Sequence, residues 1–144
     1  MKYWDTSALV PLFIDQPHSP AAKEIFGDDP EAVLAWATWI EYESALQRAH
    51  REAILDEEGV AVARESFTLV RESAVEIQPS EELRARAIRL LAEHPLRAAD
   101  ALQLASALMW TGENPSGSGF VSFDDRLRKG AEGEGFTILP ALEA

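Results

Sequence analysis

Residues 32–46 read Ala-Val-Leu-Ala-Trp-Ala-Thr-Trp-Ile-Glu-Tyr-Glu-Ser-Ala-Leu, and the change of pattern inside this stretch decides the fold. Residues 32–37 are apolar without alternation, as expected of a strand covered on both faces. From Thr38 the period changes. Trp39, Ile40, Ala45, Leu46, Ala49 and Ile54 recur at helical spacing with charged residues between them. A doubly covered strand that runs straight into an amphipathic helix is half of a βαβ unit. Such units build a parallel sheet with helices on both faces.

The same alternation extends outward in both directions. Residues 1–5 read as a short strand and 7–14 as an apolar helical segment, broken by Pro17 and Pro20. A further helix is expected over 21–26, ending near Gly27. Gly59 is expected to separate the helix that begins at Thr38 from a second one over 60–70. A strand over 74–77 stops before Pro79, and Ser80 caps a helix over 81–94 with apolar positions 83, 87, 88, 90 and 91 on one side. Residues 97–110 form the most apolar helix, interrupted by Asp100, Gln103 and Ser106, and so are expected at the centre. After the loop Glu-Asn-Pro-Ser-Gly-Ser-Gly come a strand over 120–123, a helix over 125–132 and a strand over 136–139. No repeat or linker interrupts this order. The expectation is one domain over 1–144, an α/β fold built as a three-layer α/β/α sandwich around a mainly parallel sheet.

Bulk properties narrow the function. With 47% hydrophobic and 26% charged residues the chain has a globular balance rather than a disordered one. It has no apolar run of membrane-spanning length, and Asp5 interrupts the N-terminus before a signal sequence could form, so a cytoplasmic protein with no membrane association is expected. Cysteine is absent, which leaves oxygen ligands or His18, His50 and His94 for any metal, and these histidines lack ligand spacing. A net charge of -12 argues against a general nucleic-acid binder, since phosphate neutralisation dominates that affinity.

Four acids carry the chemical signal. Asp5 follows the first strand, Glu41 lies just past the second, and Asp124 ends the strand over 120–123. Parallel α/β sheets bind ligands outside the carboxyl ends of their strands, so these three converge if the topology holds, and Asp100 joins them from the first turn of the central helix. Each also has a plain local reading. Asp5 can cap a helix at Thr6-Ser7, Thr38 and Glu41 fit a capping box, Asp124 sits where capping Asp is common, and Ser122 can pair with Asp125. Asp100 can belong to a polar stripe with Gln103 and Ser106. Converging carboxylates repel unless they take up protons or bind a cation, and an all-oxygen set selects Mg²⁺ or Mn²⁺. Phosphodiester hydrolysis suits that inventory. No nucleophile elbow, P-loop or dinucleotide fingerprint competes with it.

The opening Tyr3-Trp4-Asp5-Thr6-Ser7-Ala8-Leu9 resembles that of PIN-domain nucleases. So do Glu41-Tyr-Glu-Ser-Ala-Leu46 with Arg48, Leu96-Arg97-Ala-Ala-Asp100-Ala-Leu-Gln-Leu-Ala105, and Phe120-Val-Ser-Phe-Asp124-Asp-Arg-Leu127 followed by Gly135-Phe-Thr-Ile-Leu139. Order and spacing over essentially the whole chain are similar to the VapC toxins of VapBC toxin–antitoxin pairs. That resemblance implies a Mg²⁺- or Mn²⁺-dependent endoribonuclease acting on RNA, a VapB-type antitoxin that blocks the site with a basic side chain, and a homodimer. It implies Asp5 and Asp100 as principal metal ligands, Glu41 and Asp124 acting partly through water, and Thr6 and Ser122 as supporting hydroxyls. Glu43 competes with Glu41, and Asp125 with Asp124.

Three alternatives are a PIN-like RNA-processing nuclease that is not a toxin, a non-catalytic PIN-like binding domain, and a haloacid-dehalogenase-like phosphatase. The last needs an Asp where Ser7 stands and a catalytic Lys before the late acids, whereas the lysines are Lys2, Lys23 and Lys129.

Overall fold

A computed structural model of the chain describes residues 1–141. Along the sequence run β1 (Lys2–Trp4), α1 (Thr6–Phe13), α2 (Ser19–Asp28), β2 (Ala32–Ala35), α3 (Thr38–Arg51) and α4 (Glu57–Ser73). They are followed by β3 (Val75–Ile77), α5 (Glu81–Glu93), α6 (Ala98–Trp110), β4 (Gly119–Val121), α7 (Asp125–Glu134) and β5 (Thr137–Leu139). The strands form one sheet in the order β3-β2-β1-β4-β5, and every pairing is parallel.

The pleat explains why residues 32–35 show no alternation. Ala32, Leu34, Trp4 and Val121 point into a cluster covered by α1–α4, while Val33, Ala35, Tyr3, Phe120 and Ile138 point into one covered by α5–α7. Successive strand residues face opposite sides, and both sides are packed. The three-layer α/β/α reading is therefore borne out. Both clusters share the one sheet; residues 142–144 of the expected 1–144 range lie outside the described residues.

The chain steps from β1 to β2 to β3 in one direction, then crosses back to β4 and β5 on the other side of β1. Adjacent strands β1 and β4 thus send their connections opposite ways. A crevice opens at such a switch point, outside the carboxyl ends of the strands.

Several boundaries shift by a few residues from expectation, three of them for a clear local reason. Gly59 does not separate two helices: Asp56 caps α4 by accepting the Gly59 N–H at 2.7 Å, so the glycine lies in the first turn. The helix expected from residue 21 starts at Ser19, with Pro20 inside its first turn, where no N–H donor is needed. Strand β4 stops at Val121, not at residue 123, because Ser122 and Asp124 turn away into side-chain hydrogen bonds.

Candidate functional site

Asp5 stands at the switch point. Its N–H donates to the Val121 carbonyl at 3.1 Å, so the β1–β4 ladder runs right up to it. The carboxylate caps α1, with Oδ1 accepting from the Ala8 N–H at 3.2 Å and the Ser7 hydroxyl at 2.6 Å. Oδ2 accepts from the Ser122 hydroxyl at 2.6 Å. The same hydroxyls tie down the β4–α7 turn: Ser7 Oγ accepts the Phe123 N–H at 2.9 Å, and Ser122 Oγ accepts the Asp124 N–H at 3.1 Å. Asp5 is only 2% exposed. Burial raises its carboxyl to about pH 6 against the hydrogen bonds from Ser122, Ser7 and Ala8, and the Asp124 charge pushes the same way.

Glu41 lies one turn into α3. The expected Thr38–Glu41 capping box is absent, since Ala37 is the N-cap and makes no side-chain cap bond. Both side chains turn instead to Gln103 of α6, whose Nε2 donates to Glu41 Oε1 at 2.7 Å and to Thr38 Oγ1 at 3.0 Å. Burial raises the Glu41 carboxyl, opposed by bonds from Gln103 and Thr6, and the Asp100 charge adds to the rise. Asp100 itself accepts the Arg97 N–H at 3.1 Å and so caps the start of α6.

Asp124 caps α7 through the Leu127 N–H at 2.9 Å and lines a cleft of about 730 Å³ with Thr6, Ser7, Glu41 and Arg48. Asp125 is exposed and lies outside that lining, and Ser122 pairs with Asp5 and Asp124 rather than with Asp125. Glu43 faces elsewhere, bonded to Arg64 at 2.5 Å and to Gln47 at 2.9 Å. The local capping readings of Asp5 and Asp124 are thus real, and Asp100, read in the sequence as part of a polar stripe, caps a helix as well. Asp124 acts on Asp5, and Asp100 acts on Glu41, as like charges. The Tyr3 phenol, fully buried, is raised first by its own desolvation and then by the charges of Asp5 and Glu41.

Sequence reading missed two members of the site. Ser7 has no nucleophile elbow around it, and its signal is the two-residue spacing from a capping Asp. Gln103 was visible only as a polar break in an apolar helix, and its partners lie 62 to 100 residues away. His18, with no expected role, stacks on Phe123 at 4.3 Å between ring centroids along the cleft.

The described ion pairs engage none of the four acids. Oxygen donors without a cationic partner, in two like-charged pairs, fit a hard divalent cation such as Mg²⁺ or Mn²⁺. Among the described residues, the group of three whose ligand atoms all lie within 4.8 Å of one another is Glu93, His94 and Glu134, and the four acids do not come together at that spacing. Glu134 sits ten residues down α7 from Asp124, about 15 Å along the axis. Arg89 approaches Glu93 at 3.4 Å and Glu134 at 3.9 Å, so that group already has its cation.

Among solved structures, the chain matches a toxin-antitoxin complex from Klebsiella pneumoniae at 18% identity, with all of each chain covered and a TM-score of 0.69. It also matches Mycobacterium tuberculosis VapC20, described as a sarcin-ricin loop cleaving toxin. There the identity is 16%, over 94% of this chain and 96% of that one, with a TM-score of 0.68. Both likenesses are of fold. In sequence the chain is 29% identical over 139 residues to Ribonuclease VapC45 of Mycobacterium tuberculosis, covering 96% of this chain and 94% of that protein. The sequence pattern of the PIN domain matches residues 2–133, a span that begins in β1, contains all four acids and reaches the last turn of α7. With that match spanning β1 to α7 of a parallel sheet between two helical layers, the chain belongs to the PIN domain family.

Proposed function

We propose that this protein is a Mg²⁺- or Mn²⁺-dependent endoribonuclease and the toxin of a toxin–antitoxin pair, inhibited by a VapB-type antitoxin. The observation that carries this reading is a set of acids without ion-pair partners among the described residues: Glu41 and Asp124 line a cleft with Arg48, while Asp5 and Asp100 lie outside its lining as their like-charged neighbours. The ribonuclease relative and the toxin fold neighbours support it. The four acids would hold the cation, which when bound lowers the pKa of water and offsets phosphoryl charge.

The chain's own residues do the rest. Ser7 and Ser122 fix both oxygens of Asp5, and Thr6 helps to hold Glu41. Arg48, on the Glu41 face of α3, is the Lys or Arg side chain among the described lining residues and is the group to receive a backbone phosphate. A net charge of -12 favours a basic antitoxin segment at the same acids. The toxin is proposed to work in the cytoplasm as a homodimer.

The test is incubation of purified protein with structured RNA in Mg²⁺, Mn²⁺ or EDTA. Cleavage in either metal and none in EDTA is expected; RNA left intact in both metals overturns the reading. A second expectation separates the two glutamates. Glu41→Gln should slow initial cleavage ~10–100-fold, the usual cost of disturbing the shell of a metal site. Glu43→Gln loses a partly exposed ion pair worth less than about 1 kcal/mol, and should leave the rate within about twofold. The reverse result would place the helix register at fault.

A further inference from the structure

We infer that Gln103 is a positioning residue for Glu41, and that the Tyr3 hydroxyl fixes which way its carboxamide points. Gln103 is 2% exposed, in the middle of α6 and one turn beyond Asp100. Its Oε1 accepts from the Tyr3 hydroxyl at 2.5 Å. Its Nε2 faces three acceptors: Glu41 Oε1 at 2.7 Å, Thr38 Oγ1 at 3.0 Å and Thr6 Oγ1 at 3.3 Å. Two amide protons serve these three oxygens. The carboxylate takes the shortest bond, as expected of a charged acceptor.

A carboxamide is nearly symmetric in shape but opposite in polarity at its two ends. Threonine hydroxyls donate or accept, so Thr6 and Thr38 do not choose between the two orientations. Tyr3 and Glu41 do. A phenol keeps its proton at neutral pH and donates it to the carbonyl end, which leaves the amino end aimed at the carboxylate. Tyr3 is itself held still, fully buried and stacked on Phe120 at 5.1 Å between centroids. The chain of contacts therefore passes from β1 through α6 to α3, and Tyr3 lies two residues before Asp5. Turned the other way, Gln103 would set a carbonyl oxygen against the Glu41 carboxylate.

The consequence is a carboxylate whose rotamer is chosen from behind, leaving its other oxygen for the cleft that Glu41 lines. The inference rests on the nuclease reading for its effect on rate, but the arrangement is testable without any activity. Gln103→Met keeps length and removes both polar ends, Gln103→Glu opposes Glu41 with a like charge, and Tyr3→Phe removes only the orienting hydroxyl. Mn²⁺ binding by electron paramagnetic resonance and single-turnover RNA cleavage are the readouts, taken where circular dichroism shows every variant folded.

Gln103→Met should weaken Mn²⁺ binding or slow cleavage ~10–100-fold, Gln103→Glu should lose more, and Tyr3→Phe less. Tyr3→Phe added to Gln103→Met should cost nothing further, because the two act through one bond. A purely structural Gln103 would instead shift melting temperature and leave both readouts unchanged, and that result overturns the inference. Independent, additive losses overturn the role given to Tyr3. An inactive wild type with normal Mn²⁺ binding that Gln103→Met weakens would sink the nuclease reading alone.

Discussion

Asp5→Asn is expected to lower RNA cleavage by about 1,000-fold or more while the protein stays folded. Asn is as competent a helix cap as Asp, so the Ala8 N–H keeps its acceptor and α1 keeps its start. The Ser7 and Ser122 hydroxyls can each donate or accept, so they adapt to an amide. What disappears is the negative charge. A cation at a phosphoryl centre contributes several kcal/mol, and each 1.36 kcal/mol is tenfold in rate. Asp29→Asn is the control, since it removes a charge paired with Lys2 and the N-terminus. Initial rates with Mg²⁺ or Mn²⁺ decide the matter. An Asp5→Asn protein that cuts RNA at the wild-type rate would remove Asp5 from the chemistry and leave it a cap. Expression of the wild type alone should also arrest growth, and the variant should relieve it.

The second large effect is on stability. Burial raises the Asp5 carboxyl from 3.8 to about 6, so the folded chain binds that proton more tightly than the unfolded one. A raised carboxyl favours the fold below pH 4, and that contribution is lost as pH climbs to about 6. The shift corresponds to roughly 3 kcal/mol, or on the order of 10 °C in melting temperature for a domain of this size. In EDTA the wild type should therefore fall relative to Asp5→Asn across pH 4 to 6, and differencing the two curves cancels the other acids. At pH 7 saturating Mn²⁺ should raise the wild type, because a ligand of the folded state stabilises it by mass action, and should raise Asp5→Asn much less. Parallel curves in EDTA with no metal response would mean that Asp5 carries no unrelieved charge.

Much of the site was legible because its members occupy local positions with local signatures. Asp5, Asp100 and Asp124 each sit at a helix start, where a carboxylate caps free N–H groups, and each was named from its place in the chain. The capping and convergence readings stand side by side in the sequence. They are compatible, because the carboxyl ends of the strands are where the next helices begin. Thr38 and Glu41 show the opposite case. Their spacing fits a capping box, yet both are drawn away to a side chain on α6, and no helix-local rule contains that partner.

The sequence by itself determined the alternation of doubly buried strands with one-sided helices, and hence the parallel sheet between two helical layers. Apolar runs, periodicity and caps act over a few residues, so they can be read in order. The tertiary structure decided the strand order β3-β2-β1-β4-β5, which opens the crevice between β1 and β4. It also decided that Glu41 rather than Glu43 faces that crevice, and that Ser7, Ser122 and Gln103 hold the acids there. These outcomes depend on contacts such as Ser122 with Asp5, 117 residues apart. Such pairs meet only after every intervening crossover has chosen its side of the sheet, and no short window of residues encodes that choice.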